Sequence, residues 1–238
     1  MVQNDRRVSA RGFFRNRPFA TASAMSLLDS VRREPGASNR RLASLTGLGV
    51  TKDNENDGVL PTYISYLHAM DLIVPGTRED ARFVLTETGA AILAHDPHAG
   101  GRGTTAVMAM LLSEPLRGAH LFDWAVRGVM SDLAPFSMDQ LQQQVERLST
   151  EEGYGPTRGA NYDVVMRAFT EQSAFGPITP WKPSAGAELF VPQLPADLET
   201  PLFWATAFQG PSLSAGAPVV ALGYMFEKDR ELREGESV

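Results

Sequence analysis

Apolar residues recur at helical spacing between residues 18 and 94, and the gaps between them fall on strong turn signals. Ala22, Met25, Leu28 and Val31 draw a stripe on a first helix that stops before Pro35 and Gly36. Ser38 suits the N-cap of a short second helix with Leu42 and Leu45 inward, and Gly47-Leu48-Gly49 is a glycine-containing turn after it. Pro61 fits a first helical position, where its missing N–H would have had no partner, and Ile64, Leu67 and Met70 then form an inward stripe. Tyr63 and Tyr66 are left partly outward on that third helix. Leu72-Ile73-Val74 and the run from Arg82 to Leu85 flank a turn at 75–81 and read as a hairpin. Thr86 caps a closing helix through Leu93. Three helices followed by a hairpin is the order of a winged helix-turn-helix; a small helical domain with a hairpin and no nucleic acid is the alternative.

Charge separates these two readings. The chain of 238 residues has a net charge of −6, which argues against a basic coat over the whole surface. Residues 1–52 nevertheless hold ten Lys and Arg against three acids, a net of +7 that leaves −13 for the remainder. A cationic segment that coincides with a helix-turn-helix pattern is what phosphate binding requires, and double-stranded DNA is therefore the expected partner. A solvated charge run is the competing explanation. No apolar run approaches the length of a membrane helix, and no signal peptide precedes the first helix, so a cytoplasmic protein without a membrane partner is expected. The absence of cysteine excludes disulfides, cysteine-bound metal and a cysteine nucleophile.

The organisation read from composition is a flexible basic arm at 1–12, a winged helix-turn-helix domain at 13–98, a glycine-rich linker around Ala99 to Gly103, a helical domain at 104–226 and a charged tail at 227–238. The fold class is thus mainly α with small β wings. Apolar residues are dense in Thr104 to Leu112 and Gly118 to Met130, around Pro115. Pro135-Phe136-Ser137 resembles a staple and cap for a helix with Leu141, Val145 and Leu148 inward, with Gln140 in place of the commoner Glu of a capping box. A turn containing Gly153, Gly155, Pro156 and Gly159 follows, then a helix from Asn161 to Thr170, so that a second helix-turn-helix unit with similar grammar is possible in this region. The apolar stretches Glu188 to Val191, Leu202 to Phe208 and Val219 to Phe226 are short and set among prolines and glycines.

Several short motifs then occur in a fixed order. Phe13-Phe14-Arg15-Asn16-Arg17-Pro18-Phe19 resembles the F-x-R-H-E-T-F opening of the SspB-type family encoded in bacterial DNA phosphorothioation islands. Leu48-Gly49-Val50-Thr51-Lys52 is similar to that family's L-G-V-G-K, and Leu85-Thr86-Glu87-Thr88-Gly89 to its L-T-E-x-G. Asp96-Pro97-His98 resembles D-P-Y, Leu111-Leu112-Ser113-Glu114-Pro115 resembles L-L-S-N-P, and Phe136 to Leu141 resembles F-T-R-E-E-L. The resemblance spans residues 13 to 145, with a weaker echo at Asn161 to Ala168. It implies a DNA-binding component of phosphorothioate modification that nicks one strand so that sulfur can replace a phosphate oxygen, working with other phosphorothioation proteins. This chain has Asn16 and Arg17 where the family has His and Glu, so chemistry assigned to those side chains does not carry over.

For DNA contact the candidates are Arg15 and Arg17 beside the arm, Arg40 and Arg41 on the second helix, and Lys52 before the third, all placed to meet phosphates. Asn54 and Asn56 could pair with adenine or could form a turn, and Tyr63 could reach a base methyl or a phosphate. Arg158 and Asn161 are their counterparts in the second unit. Strand cutting by the metal route would use Mg2+ or Mn2+ held by carboxylates. Asp53, Glu55 and Asp57 alternate and are the candidates, with a solvated loop as the other reading. His95, Asp96 and His98 form the histidine cluster. A non-enzymatic transcription regulator and a DNA-binding adaptor in a defence complex are the rival functions, and a homodimer is one open arrangement.

Overall fold

The computed structural model describes residues 17–76, 83–114, 119–155, 157, 161–179, 181–186 and 188–193. The arm, the opening motif through Asn16, the hairpin tip, and everything after 193, including the stretches Leu202 to Phe208 and Val219 to Phe226 and the tail, lie outside the described residues. The chain is mainly helical, with two small two-stranded sheets among the described residues.

Helix α1, Thr21–Arg33, buries Ala24, Leu27, Leu28 and Val31, spaced three and four apart on one face, and ends with Arg32 and Arg33 where cations favour the helix dipole. Ala22, expected inward, is exposed because the buried stripe runs one step around the helix, through Ala24. Helix α2, Asn39–Thr46, begins as expected at Ser38, whose Oγ accepts the Arg41 N–H at 3.2 Å, and stops at Gly47 with φ 72°. Leu42 is fully buried, whereas Leu45 is 41% exposed rather than inward.

Residues 47–58 fold back on themselves, with Val50 bridged to Gly58 and the Thr51 N–H donating to the Asp57 carbonyl at 2.8 Å. Gly58 has φ 127°, and a Cβ there would sit 2.7 Å from the Gly49 carbonyl oxygen, so both conformation and space require glycine. Helix α3, Val59–Ala69, starts just beyond, with Pro61 inside the first turn, where the helix has no acceptor for an N–H. Strands β1, Ile73–Val74, and β2, Val84–Leu85, pair antiparallel with Ile73 opposite Leu85. Thr86 then caps α4, Glu87–His95, by accepting the Gly89 N–H at 3.0 Å.

The Asp96 carboxylate accepts the N–H groups of Gly100 and Gly101 at 3.1 and 2.8 Å, which turns the chain directly into α5, Arg102–Leu112. Helix α6, His120–Ala125, runs without a break into a π-helical turn, Val126–Met130. Helix α7, Met138–Glu151, has the expected box: Ser137 Oγ accepts the Gln140 N–H, and Gln140 Oε1 accepts the Ser137 N–H. Helix α8, Tyr162–Thr170, is followed by β3, Trp181–Pro183, and β4, Phe190–Pro192, an antiparallel pair with Lys182 opposite Val191. The order helix, capped second helix, third helix, hairpin therefore occurs twice, in 21–85 and again in 120–192.

Buried side chains from both halves belong to one core cluster. Phe19 stacks on Phe175 with ring centroids 4.9 Å apart, and the Thr21 N–H donates to the Ser173 carbonyl at 2.8 Å. Tyr66 meets Phe122 edge-on at 6.1 Å, and Phe122 meets Phe169 at 5.9 Å. Burial raises the Tyr66 hydroxyl well above its ordinary value of 10, and the neighbouring Tyr63 adds to the shift in the same direction. A raised tyrosine pKa leaves stability unaffected below pH 10 and removes it as pH rises from 10 toward the folded value, since the unfolded chain ionises first. Alkaline titration followed at 295 nm should therefore show the Tyr66 ionisation step coinciding with loss of far-UV ellipticity; a reversible step in the folded protein near pH 10 for every tyrosine would contradict this burial.

Candidate nucleic-acid interface

Helix α3 is the position from which a helix-turn-helix reads bases, and its composition decides its surroundings. The eleven residues VLPTYISYLHA contain no Lys, Arg, Asp or Glu, and a helix without a polar face belongs in the interior. Eight of them are buried, and Val59, Pro61 and His68 are only partly accessible. Tyr63, expected to face outward, is 5% exposed; its hydroxyl donates to the Pro18 carbonyl at 3.4 Å, and burial raises its pKa. Tyr66 is fully buried and donates to the Arg17 carbonyl at 3.0 Å. Phe19 lies over both rings, at centroid distances of 6.4 and 5.2 Å. The segment 17–20 thus closes the face of α3 that a groove would need.

Among the exposed cations of the described residues, those on α2 and the connection after it include two without an ion pair. Arg40 and Lys52 are exposed, and neither makes an ion pair among the described residues. Arg41 is exposed but committed: its Nε and Nη2 hold both Glu34 carboxylate oxygens at 2.7 and 2.5 Å. That fork lowers the Glu34 pKa, so the pair is intact above the usual carboxylate range and is lost as pH falls below it. Arg32 and Arg33 both lean on Asp29, at 2.6 Å each. Arg17 is half-buried, and Arg15 lies outside the described residues.

The connection is ordered by its own polar groups. The Asn54 Oδ1 accepts the Asn56 N–H at 3.0 Å, an Asx turn of the kind the turn reading of this segment expects, and the Asn54 side chain is exposed. Asn39, which sequence reasoning missed, is 5% exposed and donates through Nδ2 to the Glu55 carbonyl and to Asn56 Oδ1, fixing α2 to this loop. A polar residue directly after an N-cap gives no local hint of such a contact. Among the described residues no three His, Asp or Glu side chains come together as a cation site, and Asp53, Glu55 and Asp57 form no such group. Asp96, grouped in the sequence with His95 and His98, is 8% exposed and spends its carboxylate on the glycine turn. His98 lines an open cleft of about 410 Å3 with Met25, Arg32 and Arg33.

In the second half, the Asn161 side chain caps α8 by accepting the Val164 N–H at 3.3 Å, and Arg158 lies outside the described residues. Another cluster there was also missed: Asp123, 2% exposed, takes a two-pronged bond from Arg127, which also reaches Glu152. Its sequence signal was the acid and base four residues apart on one helix. No protein-family model, curated protein or solved structure matches the chain.

Proposed function

We propose that the chain binds double-stranded DNA through a winged-helix-type first half, as a component of a phosphorothioate modification system. The observation that carries the binding is the placement of Arg40 and Lys52, exposed and without an ion pair among the described residues, on α2 and the ordered connection that Asn39 fastens to it. Cations held on a rigid scaffold release counterions from DNA at little entropic cost, so they bind phosphate effectively. The net +7 of residues 1–52 supports the same surface. The place in phosphorothioation, the association with its other proteins and the metal-assisted strand nick rest on the ordered motifs of residues 13 to 145.

Arg40→Ala and Lys52→Ala should each weaken binding to a short duplex and lower the slope of log K against log salt by about 0.9. Fluorescence anisotropy across a salt series measures this, and an unchanged slope in both variants would remove this surface. The nick is tested separately by incubating supercoiled plasmid with the protein and Mg2+ or Mn2+. Supercoils that persist while binding is intact leave a DNA-binding component without cutting activity.

A further inference from the structure

Base readout requires side chains that leave a helix or strand toward solvent and reach the groove edges. Helix α3 offers none that is exposed, because residues 17–20 cover one side and Phe122 packs at Tyr66. Helix α8, third in the second half, buries Val164, Val165, Met166, Ala168 and Phe169, and its accessible face carries Asp163 and an Arg167 already bound to Glu171. Phe122 touches Tyr66 of α3 and Phe169 of α8, so the two helices that would occupy grooves share one aromatic core. The second helices are left outside, and they differ in charge. On α2, Arg40 and Arg41 are exposed; on α7, Asp139 and Glu151 are exposed and Arg147 is bound to Glu151 at 2.7 Å.

We infer that the described part of this surface, granted the DNA-binding reading above, grips duplex DNA at its phosphates, through Arg40 on α2 and Lys52 in the connection rather than through a base-reading α3, and that its ligand is B-form duplex of any sequence. A groove-reading helix separates correct from incorrect sites because each base pair presents its own donors and acceptors; a phosphate grip sees a nearly uniform charge lattice. On α7, Asp139, Glu146 and Glu151 outnumber Arg147, which is itself paired with Glu151, so this helix offers that lattice no free cation.

The test uses the full chain and labelled 20-base-pair duplexes that are A·T-rich, G·C-rich and mixed, at one salt concentration, together with selection from a random-sequence pool. Dissociation constants should agree within about threefold, and the pool should return no motif; loss of one base contact would instead separate them by about fivefold or more. Arg147→Ala, on α7, should leave affinity and salt slope unchanged. A recurrent motif, a tenfold spread among duplexes or an Arg147→Ala slope change equal to that of Arg40→Ala would overturn the inference while leaving DNA binding standing. Failure to bind any of the duplexes would remove the DNA-binding reading and this inference together.

Discussion

Gly89→Ala is expected to destabilise the protein by about 3 kcal/mol, which for a chain of this size lowers Tm by about 6–12 °C. A Cβ at position 89 would stand 2.2 Å from the Leu72 carbonyl oxygen and 3.1 Å from its carbon. That carbonyl cannot step aside cheaply. It accepts the Thr86 N–H at 3.1 Å, while the Thr86 hydroxyl donates to the Asp71 carbonyl at 2.6 Å and accepts the Gly89 N–H. The end of α3, the hairpin and the start of α4 are therefore pinned at one point, and a methyl group there forces apart all three. Gly100→Ala is the matched control, since nothing lies within 4 Å of its would-be Cβ. Equal melting curves for Gly89→Ala and wild type would show that α4 does not approach Leu72 this closely.

Arg127→Ala should cost about 3–5 kcal/mol. Its guanidinium binds both oxygens of Asp123, at 2.7 and 2.6 Å, and reaches Glu152 at 2.5 Å, while the other Glu152 oxygen accepts the Trp124 Nε1–H at 3.0 Å. Asp123 is 2% exposed, so removal of the arginine takes the counter-charge from a carboxylate that water barely reaches. The two carboxylates raise the Arg127 pKa, which keeps the arginine charged at any working pH. Because the cluster joins α6 and the π-helical turn to the end of α7, unfolding should be reported by Trp124 fluorescence as well as by ellipticity. Arg167→Ala is the contrast: its ion pair with Glu171 lies at the surface, and its loss should cost under about 1 kcal/mol. Similar melting of the two variants would show that burial of Asp123 does not set the cost. A double variant, Asp123→Leu with Arg127→Met, should recover stability relative to Arg127→Ala, because it removes the buried charge with its partner.

The sequence predicted what short-range geometry controls. Ser38, Thr86 and Ser137 each sit where a side-chain oxygen meets an N–H three residues on, and each does so. The same locality accounts for the hairpin after α3. Asn161 shows another local rule at work: it lies at a helix start that the sequence marked, and its Oδ1 caps α8. Arg41 shows a contact at longer range, since its partner is Glu34 across a turn. Periodicity placed Ile64, Leu67 and Met70 inside correctly, but it could not say that Tyr63 and Tyr66 are inside as well. The hint was the lack of any Lys, Arg, Asp or Glu in α3, which implies burial on most sides once a partner exists.

The amino-acid sequence by itself determined the capped helix starts at Ser38, Thr86 and Ser137, the mainly helical class and the cationic first 52 residues, because caps, glycine turns and charge are properties of neighbours along the chain. Tertiary structure alone decided that Phe19 meets Phe175 and that residues 17–20 close over α3, because burial depends on which distant surfaces meet, and Thr21 and Ser173 come together across most of the described chain. Whether a helix reads a groove or fills a core is set by that long-range packing.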